Sequence, residues 1–152
     1  RESNSVYKVG CLGKINDYHK SKDGRILINL TGITRFKIVE EIKNQKLYRE
    51  FKVDYEMFKG DTTDIKEKVE SSHLIEKAKI FFKRNGLLLN WKEFEKLNQN
   101  QKINTLAMIA PITNEEKQKL LEVVSLKEMI DILDKIISFY LYEISLNNQT
   151  IQ

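Results

Sequence analysis

A chain of 152 residues, 41% hydrophobic and 32% charged with one proline, has the composition of a single globular domain and not of a disordered segment. No apolar run approaches the roughly 18–20 residues that cross a bilayer, and no charged stretch followed by an apolar one marks a leader, although a missing N-terminus would hide one. One cysteine excludes an internal disulfide and a cysteine-built metal site, so a reducing cytoplasm is the expected setting.

The net charge of +4 is unevenly shared. Residues 1–59 carry thirteen Lys/Arg against eight Asp/Glu, whereas residues 60–152 carry thirteen against fourteen. The first part is therefore basic. Its cations alternate with apolar and acidic residues, as on the wet side of a sheet, and a solvated face is preferred to a nucleic-acid surface.

From Val6 to Tyr55 the pattern has period two and predicts an antiparallel meander of about four strands. Ile26, Ile28 and Leu30 point one way; Leu27, Asn29 and Thr31 point the other. Leu47, Arg49, Phe51, Val53 and Tyr55 alternate in the same manner. Asp23-Gly24 supplies the positive φ of a tight hairpin turn, and Asn44-Gln45 marks the next turn. The organisation changes near Gly60, giving a β-rich part, 1–59, and a helical part, 60–152, of one α+β domain.

In the helical part, Leu74, Ile75, Ala78, Phe81 and Phe82 form one apolar face ended by Asn85-Gly86. Asn90 with Glu93 caps a short helix presenting Trp91, Phe94 and Leu97. Ile103, Leu106, Ala107 and Ala110 recur at helical spacing until Pro111 forces a stop, since it lacks an N–H and restricts the residue before it. Thr113 with Glu116, and Ser125 with Glu128, read as capping boxes, with Val124 and Met129 at staple positions. The last helix shows Leu126, Met129, Ile130, Leu133, Ile137, Tyr140, Leu141 and Ile144. Leu106, Leu120, Leu121 and Leu133 are the expected core.

Few residues offer chemistry. Cys11 lies in a strand pattern and reads as a buried, inert thiol. His19 reads as an exposed loop residue and His73 as mid-helix, and their spacing does not make a metal site. Glu40-Glu41 and Glu115-Glu116 stand at a strand end and a first helical turn, where carboxylates are solvated or favoured by the helix dipole. The glycines Gly24, Gly32, Gly60 and Gly86 are isolated, so no GxxxxGK[ST] phosphate loop is present.

Three segments together, in order and spacing, resemble the substrate-recognition domain of the Lon protease family, in its small stand-alone relatives that lack the ATPase and protease. Tyr7-Lys8-Val9-Gly10-Cys11-Leu12-Gly13-Lys14-Ile15 is similar to that family's Y-x-V-G-x-x-G-x-I strand, and Asp23-Gly24-Arg25 to its hairpin turn. Leu30-Thr31-Gly32-Ile33-Thr34-Arg35-Phe36-Lys37-Ile38 is similar to its L-x-G-x-x-R-F-x-I signature. Residues 104–128, around Pro111, resemble its C-terminal helices. That family's domain begins with further strands and a helix carrying an F-E-P-R-Y-type motif, which does not precede Arg1. The chain is therefore expected to be a fragment lacking the first part of its domain.

The resemblance implies a partial PUA-like pseudo-barrel followed by a helical bundle, with no catalytic residues, cofactor or metal. It implies a module that binds unfolded or degron-bearing polypeptides, with a protease or chaperone as a further partner and no membrane. An RNA-binding PUA-like module is the alternative, weakened by the lack of an aromatic RNA motif or a dense Lys/Arg stripe. Gly10, Gly13 and Gly32 read as bulges or close approaches. Phe36 and Ile38 read as core. Arg35, on the opposite face, suits a structural carboxylate or a partner's acidic group. Tyr7, Tyr18, Tyr48 and Tyr55, with Arg35, are the candidate peptide-binding residues. An open strand edge would also favour a homodimer.

Overall fold

Period-two alternation becomes a three-stranded antiparallel sheet of order β1-β2-β3 in the computed structural model, which describes residues 5–63 and 69–149 but not the side chains of 144–149. The strands are β1 (Val9–Lys20), β2 (Ile26–Ile42) and β3 (Glu50–Asp54). Three strands stand where about four were expected, because β2 runs unbroken through Gly32 and absorbs irregularity as bulges instead of ending. His19 is a strand residue paired with Leu27, not a loop residue. Leu47 is fully exposed in the loop before β3, so the alternation expected from Leu47 begins only at Glu50.

The β1–β2 turn forms as its residues dictate. Gly24 has φ +86°, its N–H donates to the Ser21 carbonyl at 3.0 Å, and the Ser21 N–H donates to the Arg25 carbonyl at 2.8 Å. Arg25 Nε donates to Asp23 Oδ2 at 2.6 Å, and this bond holds the exposed Asp23 carboxyl below its ordinary pKa. A 3-10 helix, Glu56–Thr62, follows β3 and carries Phe58, which is buried.

The chain divides into two compact units, Arg1–Ile65 and Lys66–Gln152. The second consists of α1 (Ser72–Arg84), α2 (Trp91–Glu95), α3 (Gln99–Ile109), α4 (Asn114–Glu122) and α5 (Leu126–Gln149). Its boundaries follow local chemistry. Gly86, at φ +68°, ends α1 with paired bonds from Gly86 N–H to the Lys83 carbonyl and from Leu87 N–H to the Phe82 carbonyl, the two bonds of a Schellman motif. Thr113 and Glu116 form the expected capping box on α4. Asn98 and Gln101 form another on α3 that the sequence reading passed over. At Ser125 the Glu128 N–H reaches Oγ only at 3.5 Å, and Val124 stays exposed, so this start is looser than the expected box and staple.

Leu74, Ala78, Phe81, Phe82, Phe94, Ile103, Leu106, Leu120, Leu133 and Ile137 make a continuous apolar core. Leu121, expected to be core, is only half-buried; the 100° step between neighbours on a helix turns it away from the seam that Leu120 fills. His73 lies in the first turn of α1, not mid-helix, since α1 starts at Ser72. Ile144, expected on the apolar face of α5, lies outside the described side chains. Lys77 ties α1 to α5 by donating to Asp134 Oδ2 at 2.8 Å and to Ser138 Oγ at 2.9 Å.

Candidate binding surface

The sheet unit is organised around one ion pair. Arg35 Nη2 donates to Asp61 Oδ1 at 2.6 Å, and Nε donates to Oδ2 at 2.9 Å, a two-pronged contact between β2 and the 3-10 helix. The Arg35 backbone N–H also donates to Asp61 Oδ2 at 2.9 Å, so the carboxylate fills a hydrogen-bond position on the edge of β2. The guanidinium lies 4.5 Å from the centre of the Phe58 ring, adding a cation–π contact over the buried aromatic. Burial works to raise the Asp61 pKa, but the hydrogen bonds and charge of Arg35 outweigh it and hold the carboxyl below its ordinary value. Asp61 is the partner that sequence reasoning did not identify, because nothing local links residues 26 positions apart.

Register decides which side chains share a face. Leu12 pairs with Thr34 but Gly13 pairs with Gly32, which makes Ile33 an extra residue in β2. The bulge interrupts the alternation of β2. Below it, one face collects Ile15, Leu30, Tyr18, Ile28 and Ile26, paired Ile15 with Leu30 and Tyr18 with Ile28. Above it, that face continues through Cys11 and its partner Arg35. A Cβ added to Gly32 would meet Cys11 Sγ at 3.4 Å, which puts the two on the same side. The apolar part of the face is uncovered, its five side chains being between 47% and 70% exposed. Cys11 is exposed as well, contrary to the expected buried thiol, because no other element of the sheet unit packs over this stretch of β1.

The opposite face carries an open groove of about 390 Å³ lined by Leu12, Thr34, Tyr55, Glu56, Lys59 and Thr62. Phe36 supports it from below, edge-on to Tyr55 with ring centres 6.2 Å apart. Gly10 lets Phe36 lie close: a Cβ there would come within 2.7 Å of the Phe36 ring and would force it to shift. Gly13 and Gly32 show no such crowding and sit beside the register shift.

The edge of β2 is the third feature. β1 pairs with one edge from Ile26 to Lys37, and β3 pairs with the other from Lys37 to Ile42. Asp61 takes the Arg35 N–H, and no strand among the described residues pairs with residues 26–32 on that side.

The predicted tyrosines are not gathered into one patch. Tyr18 belongs to the apolar face and Tyr55 to the groove. Tyr48 lies in the loop beyond the far end of β2, with Lys46 Nζ 5.2 Å from its ring centre. Tyr7 precedes β1 and is half exposed. Arg35 is committed to Asp61, and Pro111 stands between α3 and α4 as a helix stop. The exposed aliphatics Ile15, Ile26, Ile28 and Leu30 were legible as alternation, but their exposure was not.

Residues 1–138 match the family described as the ATP-dependent protease La (LON) substrate-binding domain. Among solved structures, the Lon N-terminal domain protein from Xanthomonas campestris is similar with a TM-score of 0.57 at 16% identity, over 84% of this chain and 66% of that one. The N-terminal domain of the Mycobacterium avium complex Lon protease gives a TM-score of 0.57 at 18% identity, over 91% and 74%. At these identities the likeness is one of fold, an antiparallel sheet followed by helices. The chain spans just under two thirds of the length of the first of these structures. No curated protein matches it.

Proposed function

Because this chain belongs to the LON substrate-binding domain family, we propose that it is a substrate-recognition module that captures unfolded or degron-bearing polypeptides through its sheet unit. The observation that carries this reading is the contrast in exposure. Within the sheet unit Ile15, Tyr18, Ile26, Ile28 and Leu30 form one exposed apolar row, and contiguous apolar surface of this kind is suited to covering by another polypeptide segment. Tyr18 and Tyr55 are the tyrosines that contribute, each offering an apolar ring with a polar tip. Arg35 holds the 3-10 helix against the sheet and acts on ligand only indirectly.

The module works without chemistry of its own, and a protease or chaperone acts on what it captures, in the cytoplasm. Among the described residues no helix is long and apolar enough to cross a membrane. ATP hydrolysis and peptide-bond cleavage are therefore expected to be absent from the purified chain. Turnover abolished by a point substitution in this chain would overturn that expectation.

Titration of a reduced, carboxymethylated protein and of a single-stranded RNA tests the reading. Contacts with several phosphates would lose orders of magnitude in affinity between about 50 and 200 mM salt, whereas apolar capture changes little. Salt-insensitive binding of the unfolded protein is the expected result. Tight, steeply salt-dependent RNA binding with no affinity for the unfolded protein would sink it.

A further inference from the structure

We infer that Asp61 is the internal occupant of a carboxylate site built on β2, and that a carboxylate of the captured polypeptide takes its place when the end of the 3-10 helix swings away. The inference rests on the recognition reading above and adds an autoinhibitory contact to it. While the contact is closed, Arg35 acts on ligand only indirectly; once Asp61 leaves, Arg35 meets the ligand's carboxylate itself.

The donors are the first observation. Arg35 Nη2, Nε and backbone N–H converge on the two oxygens of one carboxylate at 2.6, 2.9 and 2.9 Å. A guanidinium fork fits any carboxylate, and the strand holds the main-chain N–H in the same direction. The Phe58 ring, 4.5 Å from the guanidinium and 1% exposed, backs the fork. Arg35 and Phe58 thus supply the donors and the backing, and Asp61 supplies the anion.

The attachment of Asp61 is the second. Phe58 anchors the 3-10 helix, and Asp61 follows three residues later, beyond Gly60. Tyr55 gives this helix no side-chain cap, and its backbone leaves helical geometry at Phe58 (φ −115°, ψ 18°). Its hydrogen bonds from the Phe58 N–H to the Tyr55 carbonyl, at 2.9 Å, and from the Thr63 N–H to the Gly60 carbonyl, at 3.2 Å, stay within the segment. A Cβ at Gly60 would meet nothing within 4 Å, so the chain is not wedged between Phe58 and Asp61. Asp61 can leave while Phe58 stays buried.

The third is the cost of exchange. The Arg35 and Asp61 side chains are only 15% and 19% exposed, so parting them with no replacement is expensive. A second carboxylate restores the same bonds, and the cost falls to the advantage of a partner tethered on the same chain. A ligand that engages only the open form shifts the population by that differential affinity. Peptides without a carboxylate gain nothing from opening.

Acetate is the first probe, followed through the Arg35 N–H and Nε–H resonances of the full chain. In Asp61→Ala, acetate at constant ionic strength should move both resonances saturably toward their wild-type positions, and chloride should not. In the wild-type chain neither salt should move them. Two labelled peptides come next, one amidated with a central glutamate, the other with glutamine there and a free C-terminus. They separate a side-chain carboxylate from a terminal one. Asp61→Ala should bind at least one of them about fivefold or more tighter than wild type does, and an amidated glutamine peptide equally.

Resonances of Asp61→Ala that acetate leaves unmoved would overturn the site. Acetate binding with no gain for either carboxylate peptide would overturn the autoinhibitory contact. If the unfolded protein still bound the wild-type chain in those cases, recognition would stand and only this inference would fall. If the unfolded protein failed to bind as well, both would fall. Should Asp61→Ala not fold, the wild-type chain decides alone. Excess carboxylate peptide should speed hydrogen exchange at the Thr63 N–H, and equal exchange with the amidated glutamine peptide would overturn the inference.

Discussion

The two units use apolar residues in opposite ways. In the helical unit nine large side chains, Leu74, Phe81, Phe82, Phe94, Ile103, Leu106, Leu120, Leu133 and Ile137, are closed into one core at 2% exposure or less. In the sheet unit only Val9 and Phe58 are buried among the described residues, while Ile15, Tyr18, Ile26, Leu27, Ile28 and Leu30 remain in solvent. Both patterns look amphipathic in sequence. A helical stripe is satisfied here by neighbouring helices, each with its own stripe; a sheet face needs a second layer, and the sheet unit by itself supplies none over this hairpin. Stability is therefore expected to reside in the helical unit and recognition in the sheet unit.

Truncation inside the helical core should have the largest effect. Leu120→Ala should cost about 2–5 kcal/mol in chemical denaturation, against less than about 0.5 for the exposed Lys119→Ala. Leu30→Ala in the sheet should resemble the lysine variant. A Leu30→Ala cost as large as that of Leu120→Ala would show that the sheet face is covered in solution and would dissolve the contrast between the units.

Next comes the ion pair that organises the sheet unit. Arg35→Ala leaves Asp61 without its fork and should cost about 2–3 kcal/mol, less than a fully buried pair because both side chains keep some solvent contact. The pH dependence follows from the lowered Asp61 pKa. Its stabilisation is complete above the unfolded carboxyl value of about 4 and fades as pH falls through the lower folded value. Asp61→Asn should flatten that part of the acid unfolding curve. An unchanged curve would assign the acid sensitivity to other carboxylates.

Smaller effects belong to the helix starts. Thr113→Ala should cost about 1 kcal/mol by removing the cap on α4. Tyr140 Oη donates to Glu116 Oε2 at 2.9 Å and so joins α5 to the same cap; Tyr140→Phe should cost about 0.5–1.5 kcal/mol. Because both substitutions disturb Glu116, their double variant should cost less than the sum. Strict additivity would show that the cap and the tyrosine act separately.

Much of this molecule was readable from its residues. The Asp23-Gly24 turn, the Asn85-Gly86 stop, the Pro111 break, and the caps at Asn90 and Thr113 are local devices. Each depends on conformational limits or hydrogen bonds within a few residues, so neighbours in sequence suffice to specify it. The apolar faces of α1 and α5 followed from periodicity for the same reason.

What tertiary structure alone decided is which of those patterns meet. Strict alternation through β2 would put Leu30 on the face of Phe36, and the extra residue Ile33 instead puts it with Cys11 and Arg35. A bulge is a property of two strands in register, so a single strand's sequence does not announce it. The same holds for the Arg35–Asp61 pair, for the exposure of Cys11, and for the stretch of β2 that β3 leaves unpaired. Each depends on where a distant segment stops, and that is set by the packing of the whole sheet and not by the residues on either side.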